Sequence, residues 1–281
     1  MPGSAEFESN QWALILGASS GFGAATALEL SRRGMNIIGV HFDRAATMPN
    51  VERLMNDIRS SGSKALFFNI NASDAAKRNE TIVAVKKEFA LIPKSTFRVL
   101  MHSLAFGSLK PYIGKKAEEA ITQAQMEMTL DVMANSLVYW VQAVVHNGLM
   151  KAGGRIFAMT SSGGHNVLPN YGAVSAAKAA LESHIRQLSM ELGHVGITAN
   201  SILAGVTDTP ALRKIPGAAN MLSIAKAKNP QMRTTIPEDV ARAIALFSRD
   251  DASFMSGNVI GVDAGEDVVS YIGQKNAIEL E

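Results

Sequence analysis

The stretch WALILGASSGFGAAT, residues 12–26, decides the fold of this chain. It opens with five apolar residues that predict a buried strand and closes with the start of an alanine-rich helix. The turn between them is rich in glycine, which allows a tight bend and a close approach of the backbone to a ligand. Free N–H groups at a helix start attract a diphosphate, so the stretch predicts a dinucleotide site, with a plain connecting turn as the alternative. The residues predicted to contact the dinucleotide here are Gly17, Ser19, Ser20, Gly21, Phe22 and Gly23.

Apolar runs of strand length alternate with helical patterns along the rest of the chain. Such alternation is typical of right-handed βαβ units, so we expect a single-domain α/β fold of the Rossmann type. Its doubly wound parallel sheet should have helices on both faces, with ligands bound at the carboxyl ends of the strands. Seven strands are predicted, near residues 12–16, 36–42, 64–70, 97–103, 154–160, 196–203 and 257–262.

The composition excludes several classes of site. Of the 281 residues 47% are hydrophobic, which is enough for a sizeable core in one domain. The absence of cysteine excludes disulfides, thiol nucleophiles and thiolate metal sites, and fits a reducing compartment. A net charge of +2 gives no electrostatic reason to expect nucleic acid or a membrane surface as a partner. The six histidines show no metal-ligand spacing, so no metal is predicted.

The two ends of the chain are predicted to lie outside the domain. Residues 1–10 contain two acidic residues, no basic residue and no apolar run, so we expect a flexible N-terminus rather than a signal peptide. The dinucleotide-binding domain is predicted over residues 11–265, and residues 266–281 are expected to form a C-terminal tail. No uninterrupted apolar stretch approaches transmembrane length, so we expect a soluble cytoplasmic protein.

The end of the second predicted strand bears on the choice between NAD and NADP. An acidic residue about twenty positions after the glycines holds the ribose hydroxyls of NAD, whereas an Arg pairs with the 2′-phosphate of NADP. Asp43 and Arg44 are adjacent and favour opposite cofactors, and either can also be a solvated loop charge. We favour NADPH, with NADH as the alternative, because Arg44 and His41 together can neutralise a phosphate. After the third strand, Asn71 is expected either to meet the adenine amine or to form a turn.

The segment NYGAVSAAK, residues 170–178, carries the candidate catalytic pair Tyr171 and Lys178. It leads into a helix predicted over residues 174–192. Seven residues make almost two helical turns, so the two side chains can share one face about 10 Å apart, or lie closer if the first turn is loosened at Gly172. A cation beside a phenol favours the phenolate and makes the phenol a better proton donor. The alternative is an exposed Tyr and a surface Lys.

Three further strand ends are expected to meet this pair in one crevice. The fourth strand leads to Ser103, Leu104 and Ala105, whose small neighbours allow the backbone to close over the cofactor ribose, while the adjacent His102 is expected to be structural. The fifth strand leads to Ser161, ten residues before Tyr171. The sixth leads to a loop with three further candidate cofactor contacts: Val206, Thr207 and Thr209.

With these residues in place, the chain from about residue 12 to 265 resembles the short-chain dehydrogenases/reductases, and more narrowly the bacterial enoyl-acyl-carrier-protein reductases. In most of that superfamily the catalytic Tyr lies four positions before the Lys, where this chain has Val174. Tyr171 lies seven positions before Lys178, which is the spacing of the enoyl reductases. The segment HSLAF, residues 102–106, is similar to the same branch.

The resemblance implies an NAD(P)H-dependent enzyme that delivers hydride to the β-carbon of a trans-2-enoyl thioester in fatty acid synthesis. Tyr171 would stabilise the enolate oxygen, and Lys178 would hold the ribose hydroxyls and support the Tyr electrostatically. Negative charge in this reaction accumulates on an oxygen beyond the carbon that accepts hydride, so a proton donor displaced by about one helical turn suits it. The nicotinamide carboxamide is expected near the backbone of Val206 and the hydroxyl of Thr209.

Some residues depart from the commonest enoyl reductases. The turn with Gly21 and Gly23 is more similar to ketone-reducing members and to one divergent enoyl-reductase subtype. Ser161 stands where the commonest enoyl reductases carry a second Tyr, and it matches the catalytic Ser of ketone reductases. It is therefore expected either to assist catalysis or to satisfy backbone groups at a strand end. Met133 stands where ketone reductases carry an Asn, so their proton relay is expected to be broken.

A substrate lid is predicted near residues 208–235. Its basic residues are expected either to dock an acidic acyl carrier protein or to form a solvated loop. These residues are Arg213, Lys214, Lys226, Lys228 and Arg233.

The leading prediction is an enoyl-thioester reductase acting on an acyl carrier protein or coenzyme A thioester. The alternatives are a ketoacyl or other carbonyl reductase of the same superfamily and a non-catalytic protein that senses NADP(H). The resemblance also implies a homotetramer, in which helices predicted over residues 129–150 and 171–192 supply buried faces.

Overall fold

The computed structural model describes residues 6–271, in which seven parallel strands form one sheet with the order β3-β2-β1-β4-β5-β6-β7. The seven predicted strands and the doubly wound α/β fold are confirmed. Residues 1–5 and 272–281, parts of the predicted N-terminal segment and C-terminal tail, lie outside the described residues. The strands are β1 (Gln11–Leu16), β2 (Asn36–His41), β3 (Ala65–Asn69), β4 (Thr96–His102), β5 (Met150–Thr160), β6 (Thr198–Ala204) and β7 (Val259–Val262).

Strand β5 begins earlier than the sequence predicted. We expected a start near residue 154, whereas the strand begins at Met150, which pairs with Phe97 of β4. The register then shifts before pairing resumes with Arg155 opposite Val99. Gly153 lies within this irregularity at φ +90°, a left-handed conformation that glycine adopts without strain.

Helices cover both faces of the sheet. One face packs against α1, α2 and α8, with Leu30 and Ile244 in its core. The other packs against α3, α5 and α6, with Trp140 and Leu181 in its core. Because both faces are covered, the carboxyl edge of the sheet is where a ligand can reach the strands. The helices are α1 (Gly21–Arg32), α2 (Met48–Ser60), α3 (Ala75–Ala90), α4 (Gln123–Leu130), α5 (Ser136–His146), α6 (Gly172–Leu192), α7 (Ala218–Lys228) and α8 (Pro237–Phe247).

The helical region after β4 is divided by a π-helical turn over Asp131–Asn135, between α4 and α5. The sequence did not indicate this interruption, and α5 ends at His146, before the predicted end at residue 150. By length and hydropathy alone, the stretch Ala117–His146 is apolar enough to span a membrane, with a mean hydropathy of 1.2 in its most apolar window. Half of that window is buried inside the protein, as in a helix that packs against a sheet.

Candidate active site

The glycine-rich turn after β1 lies against the end of β4, at the point where the strand order reverses. Gly17 has φ +88°, and a Cβ atom on it would lie 2.4 Å from the carbonyl oxygen of Ser103. A Cβ on Gly23 would lie 2.1 Å from the carbonyl oxygen of Gly17. No other residue type fits these two positions without moving the backbone. The turn is therefore held tightly at the switch point, where parallel sheets bind dinucleotides.

The start of α1 is open to an anionic ligand. The N-cap residue Ser20 makes no side-chain capping bond within the described structure, and the first turn of the helix carries no acidic residue. The first N–H groups of a helix need such a partner, and they suit a diphosphate. The residues predicted for this site therefore fit a dinucleotide.

Asp43, at the end of β2, is fixed beside the glycine-rich turn. Its carboxylate lies 3.0 Å from Nδ1 of His41 and accepts a hydrogen bond from Oγ1 of Thr47 at 2.7 Å. Burial works to raise the pKa of Asp43, but hydrogen bonds from Ser19, Thr47 and His41 outweigh it and bring the pKa below its usual value. A fixed carboxylate thus lies next to the turn, where a ribose would be bound.

His41 and Arg44, which we expected to act together on a phosphate, differ in their surroundings. The imidazole of His41 is buried and engaged by Asp43, whereas Arg44 is exposed. The side-chain oxygen of Asn71 accepts hydrogen bonds from the backbone N–H and hydroxyl of Ser73, at 3.1 and 3.0 Å, as a turn-forming Asn does.

Tyr171 lies at the N-cap position of α6, which begins at Gly172. The preceding residue, Asn170, has φ +62°, a left-handed conformation that Asn tolerates better than most residues. The Tyr ring packs on Gly163, where a Cβ would lie 2.5 Å from its Cε1 atom. Burial raises the pKa of Tyr171, and a hydrogen bond with Ser161 opposes that rise without cancelling it. Tyr171 and Ser161 are thus brought together, and the phenol is protonated at neutral pH.

Lys178 lies in α6, with its side chain buried. Its ammonium donates a hydrogen bond to the carbonyl oxygen of Met159 at 2.6 Å. Burial lowers the pKa of Lys178 to about 8, and the nearby Glu182 carboxylate limits the shift. The expectation that Lys178 lowers the pKa of Tyr171 is not met, because desolvation of the phenol dominates and the ammonium bonds to a strand carbonyl instead.

A buried apolar wall occupies the positions where ketone reductases carry their Tyr and Asn. Val174 is 4% exposed and Met133 is 3% exposed. Both approach Gly107, where a Cβ would lie 2.9 Å from a Val174 methyl and 2.8 Å from the Met133 sulfur. Neither side chain can donate a proton, so Tyr171 is the phenol that the α6 sequence offers to the crevice.

His102, the last residue of β4, is fully buried and its Nε2 lies 2.9 Å from the hydroxyl of Ser136. Burial, with a smaller effect from the charge of Lys178, lowers the pKa of His102 to about 3. The imidazole is therefore neutral, which agrees with a structural role. Beyond it, Ser103 donates its N–H to Leu16 at 2.8 Å, while Leu104 is partly buried and Ala105 is exposed.

The loop after β6 closes the crevice from the other side. A Cβ on Gly21 would lie 3.5 Å from the methyl group of Thr209, so this loop lies close to the glycine-rich turn. The Thr209 hydroxyl accepts the N–H of Leu212 at 3.2 Å, and the Thr207 hydroxyl donates to the carbonyl of Gly205 at 2.9 Å. The two Thr residues are buried.

The N–H of Val206, expected near the carboxamide, is engaged by Glu266. The distance from the Val206 nitrogen to Oε1 of Glu266 is 2.9 Å. Sequence reasoning missed Glu266 because it follows the last predicted strand and was assigned to the tail. An acidic residue four positions after the last strand was the available signal.

A cleft of about 300 Å³ opens beside Tyr171. The ring of Tyr112 forms one wall and lies over Gly172, where a Cβ would be 2.6 Å from its Cζ atom. No sequence pattern indicated Tyr112, which lies in a loop more than fifty residues before Tyr171. The other lining residues are Val167, Leu168, Ser175 and Ala176.

The predicted lid contains α7 and carries less free positive charge than its sequence indicated. Arg213 forms a two-pronged ion pair with Asp208, at 2.7 and 2.9 Å, and Arg233 pairs with Asp239 at 2.6 Å. Both carboxylates lie close to the ends of the basic stretch. Lys214 and Lys226 are exposed, and Lys228 is partly buried.

The chain is similar to known oxidoreductases over most of its length. A family model described as enoyl-(acyl carrier protein) reductase matches residues 17–266. The cyclohexanol dehydrogenase of Rhodococcus sp. is 28% identical over 267 residues, which cover 90% of this chain and 94% of that protein. The enoyl-(acyl-carrier-protein) reductase (NADH) of Nostoc sp. is also 28% identical, over 251 residues that cover 89% and 92%. A solved short-chain dehydrogenase from Burkholderia cenocepacia, in complex with NADP, matches 92% of this chain and 98% of its own with a TM-score of 0.76 and 21% identity.

Proposed function

Because the chain belongs to the enoyl-(acyl carrier protein) reductase family of short-chain dehydrogenases/reductases, and is therefore an NAD(P)-dependent oxidoreductase, we propose that it reduces the carbon–carbon double bond of an enoyl thioester. The observation that carries the proposal is the position of the phenol. Tyr171 faces the crevice seven residues before Lys178, while Val174, four residues before the Lys, is buried and apolar. The phenol is thereby displaced by about one helical turn from the position of the Tyr in ketone reductases.

Tyr171 acts on the carbonyl oxygen of the thioester. A bound NAD(P)H would supply the hydride to the β-carbon, and a proton from water would then go to the α-carbon to complete the saturated thioester. The phenol donates a hydrogen bond to the oxygen on which enolate charge develops, and the raised pKa of Tyr171 keeps its proton in place at neutral pH. Ser161 orients the phenol through their hydrogen bond.

Lys178 would hold the ribose hydroxyls of the cofactor and supply a positive charge there. With a pKa of about 8 it is mostly charged at pH 7. Its bond to Met159 leaves two ammonium hydrogens for ribose hydroxyls. The apolar wall of Val174 and Met133 excludes water from the side where ketone reductases pass protons.

The cofactor is NADPH or NADH. With His41 held by Asp43, Arg44 alone supports a 2′-phosphate, whereas the fixed carboxylate of Asp43 suits the ribose hydroxyls of NADH. Arg44 therefore favours NADPH, and Asp43 favours NADH.

We further propose that the substrate is carried by an acyl carrier protein, with coenzyme A thioesters as alternative substrates. The exposed Lys214 and Lys226 on the lid would attract an acidic carrier and raise its association rate more than its affinity. A cytoplasmic homotetramer is proposed by analogy with the family. Light scattering should give four times the chain mass of 29.9 kDa, and a monomer would contradict that assembly.

The second candidate is a carbonyl reductase. The hydrogen bond between Ser161 and Tyr171 favours it, since a Ser in this position assists ketone reduction in the resembling enzymes. The 28% identity to a cyclohexanol dehydrogenase points the same way. A protein that only senses NADP(H) is the third candidate, but it would not need a buried Lys beneath an oriented phenol.

One experiment separates these functions. NADPH and NADH consumption is measured with crotonyl and acetoacetyl thioesters, for the wild type and for Tyr171→Phe. We expect turnover of the crotonyl thioester, reduced about 100- to 1000-fold in kcat by loss of the phenol hydroxyl. Turnover of the acetoacetyl thioester alone would favour the carbonyl reductase, and cofactor binding without turnover would favour the sensor.

A further inference from the structure

The turn that follows β7 is folded into the body of the protein. Asp263 and Glu266 are 8% and 6% exposed. The carboxylate of Asp263 accepts the N–H groups of Gly265 and Asp267 at 3.0 and 2.8 Å. These bonds close the turn and direct the side chain of Glu266 toward the end of β6.

Glu266 joins two segments that border the crevice. Its Oε1 atom accepts the N–H of Val206 at 2.9 Å, and its Oε2 atom lies 3.4 Å from Nδ2 of Asn229. Asn229 directly follows α7 of the lid and donates its N–H to Ala225 at 2.8 Å. The carboxylate therefore holds the loop after β6 and lies beside the C-terminal end of the lid helix, where the Asn229 amide donates to the carbonyl oxygen of Asp263 at 2.9 Å.

The backbone leaves room for this carboxylate at Gly205. A Cβ on Gly205 would lie 3.0 Å from Oε2 of Glu266 and 2.3 Å from the hydroxyl oxygen of Thr235. Burying a carboxylate is costly even when it is hydrogen-bonded, and an apolar side chain would fill the same space at lower cost. The contact is therefore better explained by the position it gives to the loop than by packing.

The loop has a second anchor at its far end. Thr209 lies beside Gly21 of the glycine-rich turn, and its hydroxyl accepts the N–H of Leu212. Val206 is held by Glu266 at the near end. The backbone of Thr207 lies between these anchors, so its position depends on both.

We propose that Glu266 is a positioning residue for the nicotinamide end of the dinucleotide, acting through the N–H of Val206 on the loop of residues 205–209. It does not touch the cofactor itself. The proposal rests on the dinucleotide binding in the proposed function and is independent of whether the substrate is an enoyl or a ketoacyl thioester.

The test compares the two dinucleotides with ADP-ribose, which lacks the nicotinamide. Dissociation constants for NADH, NADPH and ADP-ribose are measured by calorimetry for the wild type, Glu266→Ala, Glu266→Gln and the exposed control Glu238→Ala. We expect Glu266→Ala to weaken binding of the preferred dinucleotide about tenfold, through loss of a buried hydrogen bond, and to change ADP-ribose binding less than about twofold. Glu266→Gln should restore the affinity, because its amide oxygen can still accept the Val206 N–H.

Equal weakening of dinucleotide and ADP-ribose binding, or no weakening of either, would overturn the proposal. If Glu266→Ala does not fold, the same measurement is made for Glu266→Asp, whose shorter side chain cannot reach Val206. The quantity compared is the dissociation constant of the preferred dinucleotide divided by that of ADP-ribose. A raised ratio supports the proposal there, and an unchanged ratio overturns it. Failure of the wild type to bind any dinucleotide would refute the proposed function instead.

Discussion

The crevice has two regions that are built by different means. The nucleotide region, residues 17–23 with the strand ends beside it, is set by backbone contacts such as the one that excludes a Cβ from Gly17. The substrate region, around Tyr171 and Lys178, is set by side chains that meet segments distant in sequence. A backbone cradle serves every reductase of this fold, whereas the phenol position selects the reaction. The cofactor class is therefore a property of the fold, and the substrate class is a property of a few side chains.

The largest effect is expected from closing the backbone cradle. Gly17→Ala should weaken dinucleotide binding by about 100-fold or more, because the new methyl group collides with the Ser103 carbonyl and φ +88° is strained for Ala. Calorimetry with NADH and NADPH measures it. Gly148→Ala is the matched control, since Gly148 has φ +66° and nothing within 4 Å of a Cβ. Equal losses in both variants would show that general strain, not the cradle, is responsible.

A smaller effect is expected from raising the pH, which removes the charge of Lys178 in the substrate region and lowers kcat/KM. Since burial lowers the pKa of Lys178 to about 8, its charge is present below that pH and is lost as the pH rises through it. We expect kcat/KM to fall about tenfold between pH 7 and pH 9, as the charged fraction does. Lys178→Met should have low activity without this alkaline limb. The control Lys151→Met, at an exposed site, should keep the loss of activity at alkaline pH. If Lys178→Met also kept this loss, a group other than Lys178 would be responsible.

Substitutions of Asp43 and Arg44, at the border between the two regions, should have a smaller effect on the KM for the cofactor. Asp43→Asn should raise the KM for NADH about fivefold through weaker bonds to ribose hydroxyls, and Arg44→Ala should raise the KM for NADPH by a similar factor through loss of a phosphate partner. Initial rates with each cofactor measure both. If each variant changed the KM for NADH and for NADPH by the same factor, neither side chain would discriminate between the cofactors at the 2′-position of the ribose.

The smallest effect is expected at the lid. The double variant Lys214→Glu and Lys226→Glu should slow turnover of carrier-bound substrate about threefold at low salt, since exposed charges act mainly on association rate. A crotonyl N-acetylcysteamine thioester, which has no carrier, should be turned over at the wild-type rate. Equal slowing of both substrates would remove the carrier-docking proposal.

The same division explains what the sequence could predict. Strands such as β1 and the turn at Gly17 are encoded by neighbouring residues, so local patterns locate them. The helical periodicity around α6 likewise predicts that Tyr171 and Lys178 share one face. The early start of β5 at Met150 was missed because the register shift at Gly153 depends on the pairing with β4.

Features of the site that depend on how the folded chain buries and pairs its side chains were not predictable. The raised pKa of Tyr171 arises from burial that no local pattern records. The pairing of His41 with Asp43 changes the role expected for His41. Glu266 reaches Val206 across sixty residues of sequence. In each case the determining contact exists only in the folded chain.

The most direct test of the proposed reaction follows the hydride. The wild-type protein is given cofactor deuterated at the transferring nicotinamide position and an equimolar mixture of crotonyl and acetoacetyl thioesters, and the products are analysed by NMR. The phenol position predicts deuterium on the β-carbon of the saturated butyryl thioester. Deuterium found only on the carbinol carbon of a hydroxybutyryl thioester would contradict it.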